Sequence, residues 1–228
     1  MPRRFLGQAI FLRHGQTDYT DVFPDLTEEG IKTIEKSAQA IMPFIEGHQN
    51  IVIIASPVAR SLGSAAVVAR TIGYQGKIKK EPNIQAAVVK DRMLAKAIFF
   101  EHVANGGMRG LSVAYGNDPR YEDAKIIEPR SEVKKRFLGY FAHLIRSLLI
   151  NTGLAPCFIH VSHYETLYHF VENLFGLDYK KEDPLDNGEI IVVSIYDVSI
   201  ECIVEMEVTF RGKTIREKFF DYKNKEIR

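Results

Sequence analysis

The sequence predicts an α/β protein: a three-layer α/β/α sandwich with a mostly parallel central sheet and a C-terminal antiparallel β extension. Three observations carry this expectation. Short apolar runs at 9–12, 51–55 and 158–161 are each followed by a polar turn and a helical pattern, as buried parallel strands and their crossover helices are. Helices alternating with strands in this way cover both faces of a sheet. In the tail the rhythm changes to strand-like runs at 190–196, 200–210 and 215–222, the last two joined through Arg211-Gly212-Lys213, which predicts an antiparallel meander.

Each helix carries its own signals. After the first strand, Thr27 can cap a helix with Glu28 and Glu29 in its first turn and an apolar stripe of Ile31, Ile34, Ala38 and Ile41; acidic residues there suit the positive end of the helix dipole. Pro43 is expected to kink or end it. After the second strand, Ser56 as N-cap and Pro57 at the first helical position open a helix through Leu62, Ala65, Ala66 and Ala69, with Gly73 beyond its end. Val133, Phe137, Phe141, Leu144, Ile145 and Leu148 mark a long helix before the third strand; Leu167, Val171 and Leu174 mark another after it, stopped by Gly176. Between about 90 and 130, Gly106-Gly107, Gly110, Gly116 and Pro119 interrupt the pattern, and this stretch reads as an insertion or lid. A single domain spanning 1–228 accommodates all of it.

The 228 residues are 46% hydrophobic and 26% charged with a formal net charge of +1, so neither disorder nor a uniformly basic nucleic-acid surface is expected. Any anion binding must be local. No run approaches the roughly 18 apolar residues of a membrane helix, and the expectation is a cytoplasmic protein with no membrane partner. Cys157 and Cys202, the only cysteines, lie in apolar strand-like runs without ligand spacing and read as buried reduced thiols. The histidines lack metal-ligand spacing and no acidic cluster accompanies them, so no metal and no cofactor is expected.

The chemistry concentrates at strand ends. Arg13-His14-Gly15-Gln16-Thr17 follows the first strand, where open α/β sheets place their ligands. A neutral histidine can attack phosphorus if one ring nitrogen is held by an acceptor, and an adjacent arginine can neutralise the phosphoryl oxygens. Gly15 lets the backbone come close. Ser56-Pro57-Val58-Ala59-Arg60 puts a second arginine in the first turn after the second strand, and Val161-Ser162-His163 ends the third. Two guanidiniums recognise a phosphoryl group in permanently charged, bidentate fashion, and a second imidazole can donate to an equatorial oxygen as charge builds. His160 alternates with Ser162 along its strand and reads as a packed, hydrogen-bonded histidine, while His48, His102, His143 and His169 read as surface or structural. The runs Lys77, Lys79, Lys80 and Lys134-Lys135-Arg136 read as solvated faces.

With these motifs the chain resembles the histidine phosphatase superfamily, also called the phosphoglycerate mutase-like family, over nearly its whole length. The resemblance also takes in Leu26-Thr27-Glu28-Glu29-Gly30, Ser64 where the family often has threonine, and Asn187 before the strand at 190–195. It implies that His14 is the nucleophile that becomes phosphohistidine, that Arg13, Arg60 and His163 form the phosphate pocket, and that Gln16 and Thr17 flank the phosphate or the leaving group. One departure stands out. The branch containing mutases and many broad phosphatases has a glutamate proton donor about 26 or 27 residues beyond the helix arginine, and here those positions are Ala86 and Ala87. Asp91 and Glu165 are the carboxylates that could replace it. The implied activity is hydrolysis of a small phosphorylated substrate or a phosphoprotein. The alternatives are a mutase that returns the phosphoryl to a bound hydroxyl, and a non-catalytic module that binds phosphate or phosphoprotein. A homodimer could form through the sheet edge of the tail.

Overall fold

The computed structural model describes residues 3–18, 25–151, 153, 155–176, 185–198, 203–221 and 226–227. Among them, eight strands form one sheet: β1 (Arg4–Arg13), β2 (Ile51–Ala55), β3 (Lys79–Lys80), β4 (Cys157–Ser162), β5 (Ile190–Val198), β6 (Ile203–Phe210), β7 (Lys213–Asp221) and β8 (Glu226–Ile227), in the order β3-β2-β4-β1-β5-β6-β7-β8. The half from β3 to β1 is parallel and the half from β5 to β8 antiparallel. β1 is the seam, pairing in parallel with β4 and antiparallel with β5. The parallel strands present their C-terminal ends side by side, with Arg13 opposite Ser162 and Ala55 opposite Val161.

Among the described residues, four helices cover the two faces of the sheet. Alternation along β1 sends Ile10 and Leu12 to one face, against Ile34, Ala38 and Ile41 of α1 (Glu28–Ile45) and Ala65 and Val68 of α2 (Ala59–Thr71). Ala9 and Phe11 face the other side, against Phe137 and Phe141 of α4 (Arg130–Ile150) and Leu167 of α5 (Tyr164–Phe175). Because both faces are dry, the central strands read as unbroken apolar runs. The three layers are those expected.

Local departures have physical causes. Thr27 caps α1 as expected, its Oγ1 accepting from the Gly30 amide at 2.9 Å. Pro43 lies inside that helix, which continues to Ile45; in the last turn a missing N–H removes a single ladder bond. Ser56 is not the N-cap of α2. The helix begins at Ala59, with Val58 in extended backbone as its cap residue; Ser56 Oγ accepts from the Val58 amide at 3.3 Å, ahead of the helix, and lies 2.8 Å from His163 Nε2. Ala66 faces solvent, and Val67 and Val68 take its expected place in the core.

The stretch at 90–130 is mostly helical: α3 (Arg92–Asn117) is broken only at Gly106-Gly107, where φ/ψ of −167°/17° and 60°/−156° leave the helical region. A paired glycine concentrates the break at one place, so the flanking residues stay helical. In the tail, β6 and β7 are joined by Arg211 and Gly212, with φ of 47° and 74°, the two left-handed residues a tight hairpin needs. Cys157 is a buried free thiol, whereas Cys202 lies outside the described residues. No helix among the described residues is long and apolar enough to cross a membrane.

Candidate active site

Three parallel strands deliver the site. The chain leaving β1 turns at His14-Gly15, and this turn is held from three sides. The His14 amide donates to Ser162 O at 3.0 Å, the Gly15 amide donates to Ser64 Oγ at 3.0 Å, and Asn187 Nδ2 donates to His14 O at 2.7 Å. Ser64 in turn donates to Arg60 O at 2.8 Å, so one hydroxyl ties the β1 turn to α2. A Cβ on Gly15 would come within 2.7 Å of Gly30 O, and one on Gly30 would overlap the Gln16 carbonyl. The two glycines therefore let the loop lie directly on the start of α1.

His14 is 3% exposed. Its Nδ1 lies 2.8 Å from Gly15 O, which can only accept, so the proton belongs on Nδ1 and Nε2 keeps its lone pair. Arg60 Nε donates to that nitrogen at 3.0 Å. Burial first, then the charges of Arg60 and Arg13, push the His14 imidazole well below its ordinary value of 6.5, which keeps it neutral. Arg13 is 7% exposed. It donates to Leu185 O and lies over the Tyr164 ring at 5.1 Å, while its buried Nε has no partner among the described residues. His163 is fully buried with its ring centroid 5.0 Å from that of His14, and its Nε2 lies 2.8 Å from Ser56 Oγ. Burial, His14 and the arginines push it well down too.

Arg13, His14 and Arg60 open onto a cavity of about 550 Å³, lined further by α3, the residues that follow it and the start of α5. Ala86 and Ala87 are on its wall, so the expected acid position faces the cavity with methyl groups. The segment that carries them is pinned by Ser162 Oγ to Ile84 O at 2.6 Å, by Thr166 Oγ1 to Gln85 O at 2.7 Å and by Arg136 to Asn83 O at 2.7 Å.

Across this wall the chain has the fold of the histidine phosphatase superfamily. It is similar to a mycobacterial glucosyl-3-phosphoglycerate phosphatase in complex with VO3 (17% identity, 90% of this chain and 98% of that one, TM-score 0.57). It is also similar to the alpha-ribazole phosphatase from Shigella flexneri (16%, 82% and 90%, 0.55) and to an H9A phosphoserine phosphatase mutant from Entamoeba histolytica in complex with phosphoserine (16%, 93% and 96%, 0.51). No protein-family model and no curated protein sequence matches the chain.

Within this histidine phosphatase fold, some expected residues stand elsewhere. Asp91 is not on the cavity wall: its Oδ1 caps α3, accepting from the Met93 and Leu94 amides at 3.0 Å each. Glu165 is the single carboxylate lining the cavity among the described residues. Gln16 and Thr17 do not line it either, because the loop turns to the start of α1, where Gln16 O accepts from the Thr27 amide at 3.0 Å and Thr17 bridges to Leu26. Arg136 is no solvated cation; it clamps the 82–85 turn to α4 and pairs with Glu128 at 2.9 Å. Its place three residues after the core residue Val133, on the flank of the apolar stripe, was the available signal.

His160 is a packed histidine as read: it stacks on Phe11 at 4.6 Å and lies 2.8 Å from Tyr140 Oη, and burial pushes it down to about 3. With His14, His160 and His163 all neutral in the fold, unfolding takes up protons below pH 6.5, so their contribution to stability is complete above that value. It declines as pH falls below 6.5, by about 1.4 kcal/mol per pH unit for His160 down to about 3, with His14 and His163 acting in the same direction. Urea unfolding followed from pH 7.5 to 5 should show this steep loss. A flat profile would mean that the folded protein holds its imidazoles protonated.

Proposed function

We propose that the chain is a phosphoric monoester hydrolase working through a phosphohistidine on His14. The observation that supports this most is the state of His14: neutral, its Nδ1 pinned to Gly15 O, its Nε2 lone pair turned toward Arg60 on the wall of a cavity shared with Arg13. A substrate phosphate takes the guanidiniums of Arg13 and Arg60, with His163 beside His14 as the second imidazole for the phosphoryl oxygens. Moving Arg60 onto the phosphate frees Nε2. The P–Nε2 bond forms as the P–O bond to the leaving group breaks, and Glu165, rather than Asp91, supplies the proton to the departing oxygen. Water then attacks phosphorus, the P–N bond breaks and inorganic phosphate leaves, so the sum is ester plus water to alcohol plus phosphate.

On this reading residues 1–228 act as one cytosolic unit, the 90–130 stretch serves as lid and outer wall, the partner is a small phosphorylated molecule, and no metal or cofactor is called on. Hydrolysis of para-nitrophenyl phosphate with an alkaline quench tests it: a burst of acid-labile phosphate on the protein is expected, and turnover without it would favour direct attack by water. Glu165→Gln tests the proton donor. It should cost about 10²-fold on alkyl phosphates and under about tenfold on para-nitrophenyl phosphate, whose leaving group needs little protonation. Equal losses on both would remove Glu165 from that role.

A further inference from the structure

Beyond the groups that face the phosphate, the cavity wall is largely apolar. It is walled by Ile98, Phe99, Leu111, Ile126 and Ile127, together with the small side chains of Ala86 and Ala87. Its volume of about 550 Å³ is of the size that encloses a drug-sized molecule, roughly 300–1,000 Å³. The wall also carries three cations: Arg120, whose charge is met by Glu101 at 2.8 Å and Asp118 at 2.6 Å, Lys96, which lies over the Phe100 ring at 5.6 Å, and Arg92.

Into this largely apolar space come three tyrosines. Tyr164 lies under Arg13; Tyr115 packs edge-on against Tyr164 at 6.0 Å and against Tyr121 at 5.4 Å. Edge-to-face clusters of this kind present ring faces and edges that another aromatic ring can join. Tyr115 is 3% exposed, and its hydroxyl is buried without a hydrogen-bond partner among the described residues. A buried hydroxyl left unpaired is costly. Burial, reinforced by the charge of Glu165, keeps it protonated, so it stands as a neutral donor one ring away from the residue that lies under Arg13.

We propose that the site takes aryl-bodied phosphate monoesters, with the phosphate held by Arg13 and Arg60, the aromatic ring packed against Phe99 and the tyrosines, and a hydrogen-bond acceptor on that ring received by the Tyr115 hydroxyl. This rests on the phosphatase reading for turnover but not for binding. An aryl oxygen also leaves readily, which suits a cavity whose wall carries alanine at the position of the usual acid. The same bonds are made and broken as for any monoester, the phenolate taking its proton from Glu165 or water.

Non-hydrolysable phosphonates separate recognition from chemistry. Calorimetric titration of the whole chain with methylphosphonate, benzylphosphonate and para-acetylbenzylphosphonate should show the benzyl compound binding on the order of 10–100-fold more tightly than the methyl one, as burial of one phenyl ring supplies. The acetyl acceptor should add a further gain of about fivefold to tenfold, within the range of one hydrogen bond. Tyr115→Phe should abolish the acetyl gain while leaving benzylphosphonate affinity within about twofold, since ring packing is retained. Equal affinity for methyl and benzyl compounds would overturn the proposal even if His14-dependent hydrolysis is found. An acetyl gain that survives in Tyr115→Phe, or that never appears, would remove the hydroxyl from it. Tight aryl binding without any phosphohistidine would keep the ligand class and instead sink the catalytic reading.

Discussion

His14→Ala is expected to lower hydrolysis of para-nitrophenyl phosphate by at least ~10³-fold and to leave no phosphate on the quenched protein. The reason lies in what the residue supplies and nothing else in the cavity can. His14 Nε2 is an unprotonated nitrogen at neutral pH, kept so by burial and by two guanidiniums, and its ring is aimed by a hydrogen bond to Gly15 O. His163 lies beside His14, its ring centroid 5.0 Å away, but its Nε2 is taken up by Ser56. Without a nucleophile only positioning and charge remain, and removing such a group typically costs several orders of magnitude. The substitution should be tolerated structurally, because the turn is held through backbone atoms by Ser162, Ser64 and Asn187. Retention of the alkaline-stable phosphoprotein in the variant would assign the nucleophile elsewhere.

Arg60→Met is expected to lower kcat/KM by about 10²- to 10³-fold, the usual loss when one charged contact to a transferring phosphoryl is removed. A second consequence runs in the opposite sense. Arg60 is the largest charge holding the His14 imidazole down, so its removal should raise the His14 titration toward 6.5. Nitrogen NMR of the two imidazole signals, in the protein and the variant, reads that shift directly. An unshifted His14 would show that burial alone keeps it neutral. Methionine retains the stem of the side chain, so packing on α2 is largely preserved.

How far the sequence carried can be judged residue by residue. His14, Arg13 and Arg60 were legible because each stands at a point where local rules already speak: a buried apolar run ending in a charged, glycine-containing turn, then an arginine in the first turn of the next helix. Asp91 caps α3 and stands off the cavity wall, which its sequence neighbourhood alone did not show. An aspartate before a helical run can equally be a cap or an acid, and only the broken helix α3 decides for the cap. Gln16 and Thr17 were carried over with the motif, but the close approach of Gly15 to Gly30 turns that stretch toward α1 and away from the cavity.

The amino-acid sequence by itself determined the three-layer α/β plan, the antiparallel tail and the identity of the charged groups at the strand ends, since periodicity, caps and turn residues act over a few neighbouring positions. The tertiary structure alone decided the tautomer of His14, the choice of Glu165 over Asp91 on the cavity wall, the clamp of Arg136 on the 82–85 turn and the unpaired hydroxyl of Tyr115 among aromatic rings. Each of these depends on groups far apart in the chain meeting at fixed distance and orientation, where burial removes the water that would otherwise satisfy them.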